Sequence, residues 1–164
     1  MRRFALPVLA LLLAPCVAPA SDVLRHKLPN GSTFPISAAV EVPAGKTTVY
    51  LSGMVPVAVN ADAAKDVARV YGDTKTQTIS VLNVIKAQLE SIGLTLGDVV
   101  KMQVFLVGDP AKQGKMDFGG FMEGYSQFYG TAGQPNLPVR STMQVAALAN
   151  PNFLVEIEVT AVRP

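Results

Sequence analysis

The residue pattern predicts an α+β domain in which a mixed sheet carries two helices on one face. Leu82, Ile85, Leu89 and Ile92 recur at helical spacing between an N-capping Asp73 and a terminating Gly93. Val100, Met102, Val104 and Leu106 share one face of a strand over 98–107, opposite Val99, Lys101, Gln103 and Phe105. A second helix follows that strand and precedes another, which is the arrangement of a parallel crossover.

In chain order, residues 37–42 and 47–52 read as a hairpin closed by Pro43-Ala44-Gly45-Lys46, its second strand rich in β-branched residues. Gly53 ends that strand. Residues 54–71 contain Pro56, Asn60 and several alanines, and read as an irregular connection with a short helix around 63–70. The length of this segment suggests a functional or interface loop. Along the helix from Asp73, the side chains of Lys86, Gln88, Glu90 and Ser91 fall off the apolar stripe and face water. Residues 117–129 read as the second helix despite Gly119, Gly120 and Gly124, so packing of Phe118, Phe121, Tyr125 and Phe128 must compensate for poor propensity. The turn Gly133-Gln134-Pro135-Asn136 leads to closing strands at 139–148 and 153–162. The predicted order is β-β-α-β-α-β-β. A sheet with helices on one side leaves its other face open, and the apolar side chains expected there predict closure against copies of the same chain, with a site at the subunit boundary.

Residues 1–20 read as a signal peptide cleaved after Ala20: Met1-Arg2-Arg3 is basic, Phe4 to Ala14 is almost wholly apolar, and Ala18-Pro19-Ala20 has small-x-small form. The apolar run is short for a membrane span, so the expectation is a periplasmic or secreted domain over 21–164 without a stable anchor. Cys16 after Leu13-Ala14-Pro15 faintly resembles a lipoprotein box, though the proline fits poorly.

Fourteen basic residues stand against twelve acidic ones, and Arg2 and Arg3 leave with the leader, which brings the two to parity. The remaining basic residues are scattered singly, and no nucleic-acid partner is expected. Cys16 is the one cysteine, so the mature chain has neither disulfide nor thiol chemistry. His26 is the one histidine, which excludes a His/Cys zinc cluster and a histidine-based triad. His26 itself reads as a surface residue and Asn30-Gly31-Ser32 as an ordinary turn, while Tyr125 and Phe128 read as core or interface packing.

Arg140 and Glu156 are the candidate site residues, on what read as two adjacent strands. Arginine presents a planar fork that grips a carboxylate through two hydrogen bonds, and an ionised glutamate can orient or deprotonate a water. The same two residues also read as a plain cross-strand ion pair.

Several segments resemble the Rid family of reactive intermediate deaminases, also called YjgF-like or L-PSP endoribonuclease proteins. The matching stretches are Val49-Tyr50-Leu51-Ser52-Gly53-Met54-Val55-Pro56-Val57, Gln77-Thr78 with Asn83 and Ile85, the run from Leu96 to Leu106, Tyr125-Ser126-Gln127-Phe128-Tyr129, the run from Pro138 to Ala146, and Val155-Glu156-Ile157-Glu158. The resemblance implies a chorismate-mutase-like homotrimer with intersubunit sites, hydrolysing 2-imino and enamine acids to 2-keto acids and ammonia without metal or organic cofactor. It places the carboxylate clamp on Arg140 and water handling on Glu156, with Glu158 as the alternative, and the backbone at Ser52, Gly53 and Thr142 along the pocket. Three positions depart from the family pattern: Met54 replaces a glutamine, Ile36 in Pro35-Ile36-Ser37-Ala38-Ala39 replaces a tyrosine, and Met122 replaces an asparagine. The last two suggest a more apolar ligand or a non-catalytic small-carboxylate binder or sensor. Endoribonuclease activity ranks lower, because histidine pairs and a basic patch are missing.

Overall fold

The computed structural model describes residues 22–164 apart from Ala63, Lys65 and Arg69; the predicted leader, with Cys16, lies outside the described residues. The elements are β1 (Leu24–His26), β2 (Ala39–Glu41), β3 (Thr48–Met54), α1 (Thr74–Ser91), β4 (Val99–Val107), α2 (Phe118–Tyr125), β5 (Val139–Val145) and β6 (Val155–Val162). The main sheet has the order β3-β6-β4-β5. Its β4–β5 pair is parallel, as a crossover through α2 requires, and the other pairs are antiparallel.

Helix α1 starts where Asp73 caps it, its side chain accepting from the Thr76 N–H at 2.8 Å. It stops at Gly93, whose φ of 73° is the left-handed conformation that lets Leu94 N–H reach back to Leu89 O at 2.9 Å. Its stripe of Val81, Leu82, Ile85 and Leu89 is fully buried against Met102, Val104 and Leu106 of β4 and Val155, Ile157 and Val159 of β6. Phe121 and Tyr125 of α2 join the same core, so both helices cover one face, as the alternation predicted. The glycines that weaken α2 also let it approach α1: a Cβ at Gly124 would stand 2.8 Å from Thr78 Cβ and 3.1 Å from Lys75 O. Buried Gln77 ties the ends of the fold together, donating to Gly72 O and Asn152 O at 3.0 Å and accepting from Leu154 N–H at 2.7 Å.

Four expectations are corrected. The hairpin of 37–42 with 47–52 does not form: β2 pairs with β1 in a separate two-stranded sheet, and β3 pairs with β6. The described residues of 61–70 form turns and irregular backbone where a short helix was expected. Helix α2 ends at Tyr125 rather than Tyr129, because the chain turns over 126–129. Strand β5 ends at Val145 rather than Leu148.

Candidate functional site: a buried guanidinium at the edge of the sheet

Arg140 opposes Met102 on β4, and Met102 is fully buried under the helices, so the arginine projects into the helix-covered layer. Aromatic rings surround it there, its Cζ lying 4.3 Å from the Tyr125 ring centroid, 4.9 Å from that of Phe121 and 5.4 Å from that of Phe34. Such faces attract a cation but accept no in-plane hydrogen bond. Nη2 donates to the Met122 thioether, a weak acceptor, at 3.3 Å. Nη1 is buried and has no partner. No carboxylate pairs with Arg140 among the described residues. Burial lowers its pKa, with Tyr125 opposing the shift, yet a guanidinium remains charged.

Tyr125 is the floor of this cage. Burial pushes its phenol up to about 12, with Arg140 opposing, and its hydroxyl donates to Pro35 O at 2.8 Å. Tyr125 therefore stays neutral and ties the strap of residues 27–38, between β1 and β2, down beside Arg140. Ser37 reinforces the strap by donating from Oγ to Leu137 O at 2.6 Å. Ile36 lines a cavity of about 300 Å³ at the start of β5 with Leu28, Val139 and Ser141.

Thr142 stands on the same face of β5 as Arg140, opposite buried Val104, and its Oγ1 is likewise buried without a partner. Next on that face, Gln144 is occupied, accepting from Met116 N–H at 2.9 Å and donating to Gly114 O at 3.0 Å.

Glu156 lies elsewhere. It opposes Phe105 on β4 and projects from the open face of the sheet. Its carboxylate packs over Gly53, where a Cβ would collide with Oε1. Ser52 and Gly53 form the irregularity in β3 at which its register with β6 shifts, between Leu51 and Met54. The structure thus joins Glu156 to Gly53, and Arg140 to Thr142, but not the two pairs to each other. The expectation that Arg140 and Glu156 occupy adjacent strands is overturned, because β4 lies between β5 and β6 and the residues point to opposite faces. The cross-strand ion pair falls for the same reason.

Sequence reasoning missed Phe34 and the part played by Tyr125 as a platform. No periodicity marks Phe34, which belongs to an irregular strap. A roomier cleft of about 540 Å³ lies between α1 and the 131–136 turn, but its charged groups, Lys86 and Glu90, face each other at 3.9 Å. The unpaired cation marks the site better than the larger space. No group of three or more His, Cys, Asp or Glu side chains suited to a metal lies among the described residues.

Fold and site together define a small α+β protein with an anion-receptive guanidinium under an aromatic cover. The chain belongs to the Rid family: the family model described as endoribonuclease L-PSP matches residues 31–163. It is 33% identical over 115 residues to the reactive intermediate deaminase TdcF of Escherichia coli, covering 70% of this chain and 78% of the relative. It is 31% identical over 130 residues to the 3-aminoacrylate deaminase RutC of Acinetobacter baylyi, covering 79% and 90%. Among solved structures, the Rid-family protein YyfB of Yersinia pestis aligns with a TM-score of 0.63 at 27% identity, covering 84% of this chain and 96% of that one. E. coli TdcF with bound serine aligns with a TM-score of 0.56 at 32% identity, covering 82% and 92%. Relatives named as deaminases support a deaminase-type role at the level of the family.

Proposed function

We propose that the protein hydrolyses small 2-imino and enamine acids to 2-keto acids and ammonia, with Arg140 as carboxylate clamp and Glu156 as proton carrier for water. The observation that carries the reading is the buried Arg140 guanidinium with an unsatisfied Nη1. A charge held out of water without a counter-ion is costly, and a substrate carboxylate in the plane of the fork would relieve that cost. The serine bound to TdcF, a small amino acid with a carboxylate, is consistent with this choice of ligand.

The chemistry asks for little more. An iminium conjugated to a carboxylate is already electrophilic. Glu156 accepts a proton from water as the oxygen bonds to the imine carbon and passes it to nitrogen; as the C–N bond breaks, the carbinolamine hydroxyl gives its remaining proton, again through Glu156, to the departing ammonia, leaving the ketone and ammonium. Because Arg140 and Glu156 lie on opposite faces of one sheet, the reading requires Glu156 of one subunit to meet Arg140 of the next, and the resemblance to the family makes that assembly a homotrimer with sites between subunits. Export, with cleavage after Ala20, belongs to the same proposal.

A second reading, a non-catalytic binder of small carboxylates, is favoured by Met122, which gives Arg140 a thioether where a polar partner would help orient an imine. Endoribonuclease chemistry has less support, since the mature sequence balances its charges and contains one histidine. The test is a coupled assay in which an amino-acid oxidase generates imino acids in situ. Ammonia release accelerated by the protein and lost in Arg140→Ala, with Arg140→Lys nearly as impaired, is the expected result. Carboxylate binding without acceleration would favour the binder instead.

A further inference from the structure

We infer that Met122 is an oxidation site that switches the pocket off: a peroxide converts its thioether to the sulfoxide, whose oxygen occupies the Arg140 guanidinium and weakens its hold on carboxylates. The inference rests on the carboxylate-site reading above and adds a means of regulating that site. Residues 21–164 contain no cysteine, so methionine is their one sulfur-bearing residue. Met102 is fully buried under the helices, whereas Met54, Met116 and Met122 are half-buried and Met143 is exposed. Met122 is set apart by what its sulfur touches, for it accepts from Arg140 Nη2 at 3.3 Å. Phe121 and Tyr125, on the same helix, turn their rings to that guanidinium, and no carboxylate pairs with it among the described residues.

With hydrogen peroxide, a sulfur lone pair attacks one oxygen, an S–O bond forms as the O–O bond breaks, and the sulfur gives up two electrons. The departing oxygen takes the proton of the transferred one and leaves as water. The S–O bond is strongly polar, with its negative end on oxygen. At Met122 that end forms against a cation that lacks a carboxylate, so the guanidinium stabilises the product. A thioether is a weak acceptor, and the sulfoxide oxygen is a strong one tethered within reach. With Nη2 bonded to it, the fork is less starved of partners, and a ligand carboxylate gains less by filling it. Reduction of the sulfoxide returns the thioether, so the change is reversible. The same oxidation at Met143, which opposes Phe105 on the open face of the sheet, adds nothing to the layer that holds the guanidinium.

The test treats the purified mature protein with dilute hydrogen peroxide, maps oxidised methionines by peptide mass spectrometry, and titrates 2-oxobutanoate by calorimetry before and after. Met122 is expected to carry the added oxygen while Met102 stays reduced. Affinity is expected to fall by about tenfold, the worth of one hydrogen bond to a charged group. Methionine sulfoxide reductases acting on both sulfoxide epimers should restore it. Met122→Leu, a change that conserves volume, should bind equally well before and after peroxide, whatever its starting affinity. A Met122 that stays reduced, an affinity unchanged by its oxidation, or a Met122→Leu protein that weakens as wild type does overturns the switch and leaves the arginine clamp standing. Oxidised protein that no longer melts cooperatively, or that the reductases do not restore, shows damage to the core and overturns the switch as well. Failure of untreated wild type to bind 2-oxobutanoate overturns both readings.

Discussion

Arg140 differs from an ordinary surface arginine in what surrounds its fork. Three rings and a thioether satisfy its faces and one edge, while Nη1 is left for something the described chain does not supply. Glu156 is held in the opposite way, by close packing over a residue with no side chain. In the proposed reaction Gly53 would act as a positioning residue, its Cβ-free surface being where the Glu156 carboxylate rests. Gly53→Ala should push Glu156 aside. A displacement of about 1 Å can cost roughly a hundredfold in rate, so imino-acid hydrolysis should fall by about ten- to a hundredfold while the melting temperature changes by little. Adding Glu156→Gln to Gly53→Ala should then cost little more than Glu156→Gln alone. If Gly53→Ala retained full activity, the seat would not matter.

At the scale of elements, the strap between β1 and β2 depends on Tyr125, whose hydroxyl holds Pro35 O. Burial raises the Tyr125 pKa to about 12 and pushes that of neighbouring Tyr129 up as well. An unfolded tyrosine ionises near 10, so the stability conferred by the buried phenols is complete below that pH. Between about pH 10 and 12 the unfolded state releases protons that the folded state keeps, and stability falls by about 1.4 kcal/mol per pH unit for each such group. Denaturant titrations across that window should show the loss. Tyr125→Phe should shallow the slope while lowering stability at neutral pH through the lost bond to Pro35; an unchanged slope would mean that Tyr125 ionises in the folded protein. The strap also marks the limit of what the sequence disclosed. Helix α1 was legible because its stripe, cap and terminal glycine are local signals, and the alternation in β4 correctly sorted its residues into two faces. Partnership was not local: β3 is rich in β-branched residues, yet its partner is β6, more than a hundred residues away, rather than the nearby β2. Strand β1, with three residues, is too short to show any period. Arg140 and Glu156 stand out in the sequence as an arginine and a carboxylate in apolar strands, but the placing of β4 between them, which decides their faces, follows from the crossover and not from either motif.

For the whole molecule, the opposite-face arrangement turns a question of mechanism into one of assembly. The helix-free face presents Tyr50, 79% exposed, and Met143, 37% exposed, together with Phe105 and Glu156. Apolar side chains around a half-buried carboxylate suit contact with a second copy better than contact with water. If each proposed site takes Arg140 from one subunit and Glu156 from the next, then Arg140→Ala and Glu156→Gln proteins are both inactive alone, for different reasons. Unfolded together in equal amounts and refolded, they should assemble at random. A site works when the subunit supplying arginine carries the glutamine substitution and its neighbour carries the alanine substitution, so about a quarter of the sites recover in a closed ring with one kind of interface. Hydrolysis of the imino acid should therefore return to about a quarter of the wild-type rate, and light scattering should give the mass of three chains. A site built from one chain, by contrast, would recover nothing on mixing, because every subunit would lack one of its two groups. The recovered fraction thus tests the shared site separately from the chemistry, and a trimer with no recovery would rule out the division of labour between neighbours while leaving Arg140 as a carboxylate clamp.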